Sequence, residues 1–228
     1  INWSGTGAIQ LQNSQAGYGN NAIRNQAGGL FDAQSDANFN YGGGATNFNN
    51  IAGTFRKSGG SGTTASAPYF SNTGVVDVQS GTLNFNEAGY SGGVFNIASG
   101  HTLNWSKFVN PWQFGDGTVI QGGGTMNLTS GTAGTWTGTV SGVVVQGAGT
   151  TLNISGPTFT GAGKLSIGSG ATFGISAGSF TPTGLITNSG TISVTGGALT
   201  LSNFPTNSGT ISIASGQTLS TSGNSMNN

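Results

Sequence analysis

The sequence predicts an all-β chain wound as a parallel β-solenoid, and three observations carry that expectation. Its apolar residues are mostly Val, Ile, Leu and Phe in short runs that alternate with polar residues, the period of a strand. Glycine-led units of one design recur along the chain, the mark of a repeat architecture. Helix-formers at helical spacing are scarce throughout.

The repeats justify each element in turn. Residues 74–85 (GVVDVQSGTLNF) align with 93–105 (GVFNIASGHTLNW), 163–175 (GKLSIGSGATFGI) and 209–219 (GTISIASGQTL). Each unit is a glycine, an alternating strand, a small-residue turn and a second alternating strand. Anchor glycines fall at Gly7, Gly29, Gly53, Gly74, Gly93, Gly117, Gly142, Gly163, Gly190 and Gly209. Such a unit cannot bury its apolar face alone, and stacked copies can, each strand pairing in parallel with its equivalent one turn away. The expectation is one domain over 1–228, about ten coils of about 22 residues, forming a rod roughly 45–50 Å long. Residues 1–22 are set apart as an N-terminal strand or contact segment.

In this register the first strand points Ile9/Leu11, Phe31, Phe55, Val76/Val78, Phe95/Ile97, Leu165/Ile167, Ile192/Val194 and Ile211/Ile213 inward. The second points Phe39/Tyr41, Leu83/Phe85, Leu103/Trp105, Met126/Leu128, Leu152/Ile154, Phe173/Ile175 and Leu199/Leu201 inward. Glycines belong at the corners, where positive φ is often needed. Gly117 and Gly142 are followed by TVIQ and VVVQ, which predicts a bulge or shifted corner. Longer coils around 105–117, 128–142 and 175–190 predict a third side there.

Composition excludes several functions. Charged residues are 4% of the chain, five basic against five acidic, so there is no basic footprint for nucleic acid. Glycine supplies 44 of 228 residues without the third-residue period of collagen. No apolar run is long enough for a membrane-spanning helix. The absence of cysteine excludes disulfides and thiolate metal sites. The chain opens at Ile1 without a signal-like segment, which reads as a mature or excised piece.

The few chemical groups can be weighed singly. Counting three past the anchor glycine places Asp32, Arg56, Asp77 and Asn96 on successive coils. That is a stacked, solvent-side charge ladder in which Arg56 separates two carboxylates, a poor acid/base pair. Lys57 shares its offset with the inward Val78 and Ile97, and an unpaired buried ammonium is costly, so a corner or snorkelling position is expected. His101, the lone histidine, has no carboxylate or cysteine at motif spacing, and Glu87 and Asp116 are isolated turn residues. No catalytic residue, metal site or cofactor is expected.

Uncharged columns are more informative. Thr82, Thr102, Thr125, Thr151, Thr172 and Thr218 share one outward position, and Asn84, Asn104, Asn127 and Asn153 the next. They read as side-chain ladders, with an ice- or polysaccharide-binding face as the functional alternative. Asn72, Asn188 and Asn207, two residues before anchor glycines, read as turn chemistry. Phe108, Trp112 and Phe114 form the densest aromatic patch, a candidate contact surface.

Residues 48–64 (FNNIAGTFRKSGGSGTT) and 70–83 (FSNTGVVDVQSGTL) resemble repeats of large secreted bacterial surface proteins of the filamentous-haemagglutinin and autotransporter-adhesin type. The resemblance runs from about residue 23 to 220. It implies an extracellular, cell-surface solenoid and carries over no catalytic residue. The functional expectation is a non-enzymatic structural or adhesive module of a fibre, assembled head to tail with itself or with flanking repeats. Polysaccharide is the other partner class considered, and a carbohydrate-active enzyme is the least favoured reading.

Overall fold

A computed structural model describes residues 1–11, 21–42, 46–87, 89–106, 113–130, 134–136, 142–161, 163–203 and 206–221. Every regular element is a β-strand, and every pair of strands in the ladders is parallel. The described chain is a parallel β-solenoid.

Each turn has three faces. The first is a ten-stranded ladder from Asn2–Trp3 through Leu30–Ala33, Thr54–Lys57, Val75–Val78, Val94–Ile97, Thr118–Gln121, Val143–Val145, Leu165–Ile167 and Ile186–Asn188 to Thr206–Asn207. The second runs from Ile9–Leu11 through Thr82–Phe85 and Thr102–Ser106 to Thr210–Ile213, and the third from Asn21–Asn25 through Tyr69–Asn72 to Thr218–Ser220. These two faces merge into one 18-stranded sheet, because Thr151–Gly161 and Thr172–Pro182 run continuously around the corner between them. A third side was expected only in the longer coils. It is present in every turn, since a two-sided coil of this length would leave one edge of its interior uncovered.

About eight turns of about 21 residues make up the regular solenoid, fewer than the ten coils expected. The difference lies at the ends. Between Phe31 and Leu201 the inward positions are buried, whereas Ile9, Leu11 and Ile23 at one end and Ile211, Ile213 and Leu219 at the other are only partly covered. A partly closed turn at each end therefore adds a rung to the ladder without adding a closed coil. Residues 1–11 belong to such a turn, their strands pairing with Leu30–Ala33 and Phe39–Tyr41.

The core changes character along the axis. Its first half is a column of rings, with Phe31 stacked on Phe55 at 5.4 Å, Phe48 on Phe70 at 5.4 Å and Phe70 on Phe85 at 4.2 Å. Trp105 then packs against Phe95 and Phe114. Beyond it the described interior is mostly Val, Ile and Leu, with Phe173 and Phe180 paired at 4.9 Å. Gly89 belongs to this packing, because a Cβ there would meet the Trp105 ring and the Phe70 carbonyl.

The expected inward alternation holds at every described position except Tyr41, with Ile192, Val194, Leu199 and Leu201 buried, but the expected face fails near both ends. Ile192/Val194 and Ile211/Ile213 lie on the second face and Leu199 on the third. Gly7, Gly190 and Gly209 thus precede second-face strands, while Gly53, Gly74 and Gly93 precede first-face strands. Glycine turns the backbone at more than one corner, so a glycine count alone slips by one face. Tyr41 is 53% exposed and not inward, because Phe39 already holds the last inward second-face position, level with Ser66 and Phe85, and Tyr41 lies past the register with the next turn. The shift at Gly117 and Gly142 is as expected. Ile120 and Val145 continue the Phe95 column one residue later than the spacing elsewhere, and both glycines have positive φ, +84° and +64°.

Val76 is fully buried, stacked between Phe55 and Phe95. Val76→Asp buries a carboxylate with no partner and is expected to cost more than about 3 kcal/mol. Circular-dichroism melting reads this directly, and an unchanged Tm would mean that the side chain faces solvent.

Candidate functional site

Asp32, Arg56, Asp77 and Asn96 are direct neighbours across successive first-face strands. The bonding is less symmetric than a simple ladder. Arg56 Nε pairs with Asp77 Oδ2 at 3.1 Å, and Asp77 also accepts from Gln79 Nε2 at 2.7 Å and Asn96 Nδ2 at 2.9 Å. Asp32 accepts instead from Ser58 Oγ at 2.7 Å and Gln34 Nε2 at 3.1 Å. Both carboxylates point outward yet are nearly covered, 5% and 7% exposed, so the expected solvent-side setting is corrected. The side chains two residues on and one turn away lie over them. With every nearby donor engaged, these carboxylates are held as hydrogen-bond acceptors.

Among the described residues Lys57 is the one charged side chain with no exposure at all. Its stem occupies the inward column of Ala33 and Val78, and the ammonium emerges at the corner after the first face. There Nζ donates to Asp36 Oδ1 at 2.9 Å, Gly59 O at 2.8 Å and Ser35 O at 3.4 Å. All three donors are used, which offsets the burial of the charge. Lys57 bonding and the Gly62 N–H hold the Asp36 carboxyl below its ordinary value of 3.8. A shallow depression of about 460 Å³ adjoins this corner, lined by Thr6, Gln34, Ser35, Asp36, Ala37 and Gly60. It presents one carboxylate, already paired.

The outward columns of the second face are longer than expected. Thr63, Thr82, Thr102, Thr125, Thr151, Thr172, Thr191 and Thr210 are consecutive register partners, eight threonines in one line. Thr218 is not among them. It lies on the third face opposite Ala198, because the turn after Ile213 carries the chain past the corner. Thr191 and Thr210 escape the sequence reading through the same one-face slip that displaced the terminal glycines, and Thr63 because the inward positions of its strand are the polar Thr64 and Ser66. Two residues on stand Asn84, Asn104, Asn127 and Asn153, continued by Gly174, Ser193 and Ser212. Asn153 Nδ2 donates to Asn127 Oδ1 at 3.3 Å and Asn127 Nδ2 to Asn104 Oδ1 at 3.0 Å. Asn84 Nδ2 turns aside to Asn86 Oδ1 at 2.8 Å, and its own Oδ1 finds no donor.

A second amide ladder lies inside the coil and includes the expected turn chemistry, the Gly74 and Gly190 N–H groups donating to Asn72 and Asn188 Oδ1 at 3.1 Å. Asn25 Nδ2 donates to Asn50 Oδ1, Asn50 Nδ2 to Asn72 Oδ1, both at 2.9 Å, and Asn72 Nδ2 to Ser91 Oγ at 3.3 Å. Asn188 and Asn207 repeat the motif on the first face at 2.8 Å. Each buried amide also bonds neighbouring backbone, as Asn50 Nδ2 does to Val75 O and the Gly74 N–H does to Asn72 Oδ1. The asparagines therefore satisfy the corner backbone of the next turn as well as their own.

Of the aromatic patch, Phe108 and Trp112 lie outside the described residues. Phe114 is fully buried, an inward residue of the third face against Phe95 and Trp105, so it forms no contact surface. Asp116 Oδ1 caps the Gly142 N–H at 2.8 Å, and the Glu87 carbonyl accepts from Trp105 Nε1 at 2.9 Å. Among the described residues no group of three metal-ligating side chains comes together, and no helix is long and apolar enough to cross a membrane. No family model, curated protein or solved structure matches this chain.

Two substitutions test this arrangement. Arg56→Ala is expected to cost about 1 kcal/mol, because Asp77 keeps two donors, whereas Asp77→Ala removes an acceptor shared by three and is expected to cost about 2 kcal/mol. Denaturant titration of the pair gives both values. The second test is pH. Stability from ionised Asp36 is complete above its ordinary value of 3.8 and is lost as pH falls through the lowered folded value. Thermal melts of Asp36→Asn and the parent chain should differ at neutral pH and converge in acid as the pH falls below 3.8.

Proposed function

We propose that this chain is a structural or adhesive module of an extracellular bacterial fibre, a solenoid lengthened end to end by more solenoid. The observation that carries the reading is the state of the two ends. Among the described residues Asn2–Trp3, Ile9–Leu11 and Asn21–Asn25 each pair on one edge, as do Thr206–Asn207, Thr210–Ile213 and Thr218–Ser220 at the other end. The half-covered Ile9, Leu11, Ile23, Ile211, Ile213 and Leu219 occupy columns that are buried in the turns between. Open strand edges backed by apolar side chains are templates for another strand. Arg24 is the one charged side chain on these six strands, and zero formal charge removes long-range repulsion between copies.

The added coil comes from adjoining repeats of the same polypeptide or from a second copy stacked head to tail, a heterologous contact that propagates. The secreted-adhesin resemblance agrees with an extracellular, cell-surface setting. A structural reading is preferred over a catalytic one because Asp32 and Asp77, the two nearest-stacked carboxylates, are each committed to at least two donors. Electron microscopy and sedimentation of the chain are expected to show rods several times the roughly 50 Å of one subunit. A compact monomer at high concentration would overturn the proposal.

A further inference from the structure

The geometry points to the second face as a binding surface for an ordered layer of water, the prism of hydroxyls and amides that an ice surface would meet. This inference stands apart from the end-to-end reading, since it needs one chain and all of the column's threonines except Thr210 lie outside the end strands.

Its basis is an array of groups that the protein itself leaves unused. The hydroxyls of the eight-threonine column make no hydrogen bond among the described residues. They are nonetheless fixed in place. Strands on this face pair in unbroken register through every threonine, and the two register shifts on it come after the asparagine position, at Trp105/Ser106 and at Ile154/Ser155. A β-branched side chain in a strand has restricted χ1, so each hydroxyl is aimed before any ligand arrives. The neighbouring asparagines are tied to one another, as Asn127 is to Asn104.

Spacing selects the ligand. Hydroxyls repeat at the coil rise of about 4.8 Å along the axis. In a tetrahedral water network, O–H···O contacts of about 2.75 Å place second neighbours about 4.5 Å apart. A rank of second-neighbour waters therefore follows the column over several turns with a small slip at each. Hydroxyls that both donate and accept fit water molecules, which do the same. Chemistry narrows the choice further. No charged or aromatic side chain stands at the outward positions of this face from Thr63 to Ser212. A sugar-binding platform ordinarily supplies rings for stacking, and a charged face would hold a disordered counterion and hydration layer in place of a lattice.

The whole chain, labelled with a fluorophore at its amino terminus, tests this in a slowly freezing solution. The label is expected to concentrate in growing ice, and the solution to show a gap between its melting and freezing temperatures. Thr125→Tyr, which sets a ring in the middle of the column, is expected to need about tenfold more protein for the same gap. Val144→Tyr on the first face should leave the gap unchanged. Thr125→Val, which keeps the shape and removes the hydroxyl, serves if the tyrosine variant melts early, and it too should reduce the gap. Exclusion of the label from ice, or an equal loss in Val144→Tyr, overturns the inference. Retention on insoluble cellulose or chitin that depends on Thr125, with no effect on ice, would overturn it in favour of a polysaccharide face. Sedimentation reads the end-to-end proposal separately, so failure of either leaves the other standing.

Discussion

Parallel, in-register stacking of one turn on the next is the constraint from which the other features follow. Backbone hydrogen bonds connect each strand to its equivalent about 21 residues away, so every residue sits above and below its own counterparts. Like therefore stacks on like. A phenylalanine column is favourable because offset and edge-on rings pack well at the spacing the backbone imposes. A column of charges of one sign is unfavourable, and the chain places Arg56 between Asp32 and Asp77 and otherwise keeps charge scarce.

The same constraint makes buried polar groups affordable only where they repeat or reach a corner. An asparagine inside the coil has an amide donor and an acceptor, and its stacked neighbour offers the complement. Asn25, Asn50 and Asn72 thus satisfy one another while binding the turning backbone that no strand partner reaches. Ser91 ends the run because its hydroxyl can accept from Asn72 while the Gly93 N–H donates to it. Lys57 has no stacked counterpart and survives by a different route, extending its ammonium to carbonyls and to Asp36 where the first face ends. Glycine at the corners is a steric requirement of close turns. A Cβ on Gly74 would meet the Gly53 carbonyl, and one on Gly93 the Gly74 carbonyl.

Stacking also determines what surface is left for function. A solenoid has sides and ends, and they differ in kind. The sides are regular arrays whose period is set by the backbone, which suits a partner that is itself periodic. The ends are open edges with partly covered apolar columns, which suit more of the same fold.

By itself the sequence determined the strand content, the parallel solenoid, the inside–outside alternation at every expected position but Tyr41 and the stacking of Asp32, Arg56 and Asp77. These are local or near-constant in spacing: alternation is a two-residue property, and Gly29, Gly53 and Gly74 mark the same corner. Tertiary structure alone decided which face each strand joins. Two-residue alternation is identical on all three faces, and glycine serves several corners, so only pairing with the turn below assigns Thr191 and Thr210 to the threonine column and Thr218 away from it. Likewise the inward packing of Phe114 against Phe95, the buried path of Lys57 and the pairing of Asn50 with Asn72 depend on atoms about one turn distant in sequence. The number of closed turns also escaped the repeat count, because a coil is closed only when neighbours cover it on both sides, and the end coils have a neighbour on one.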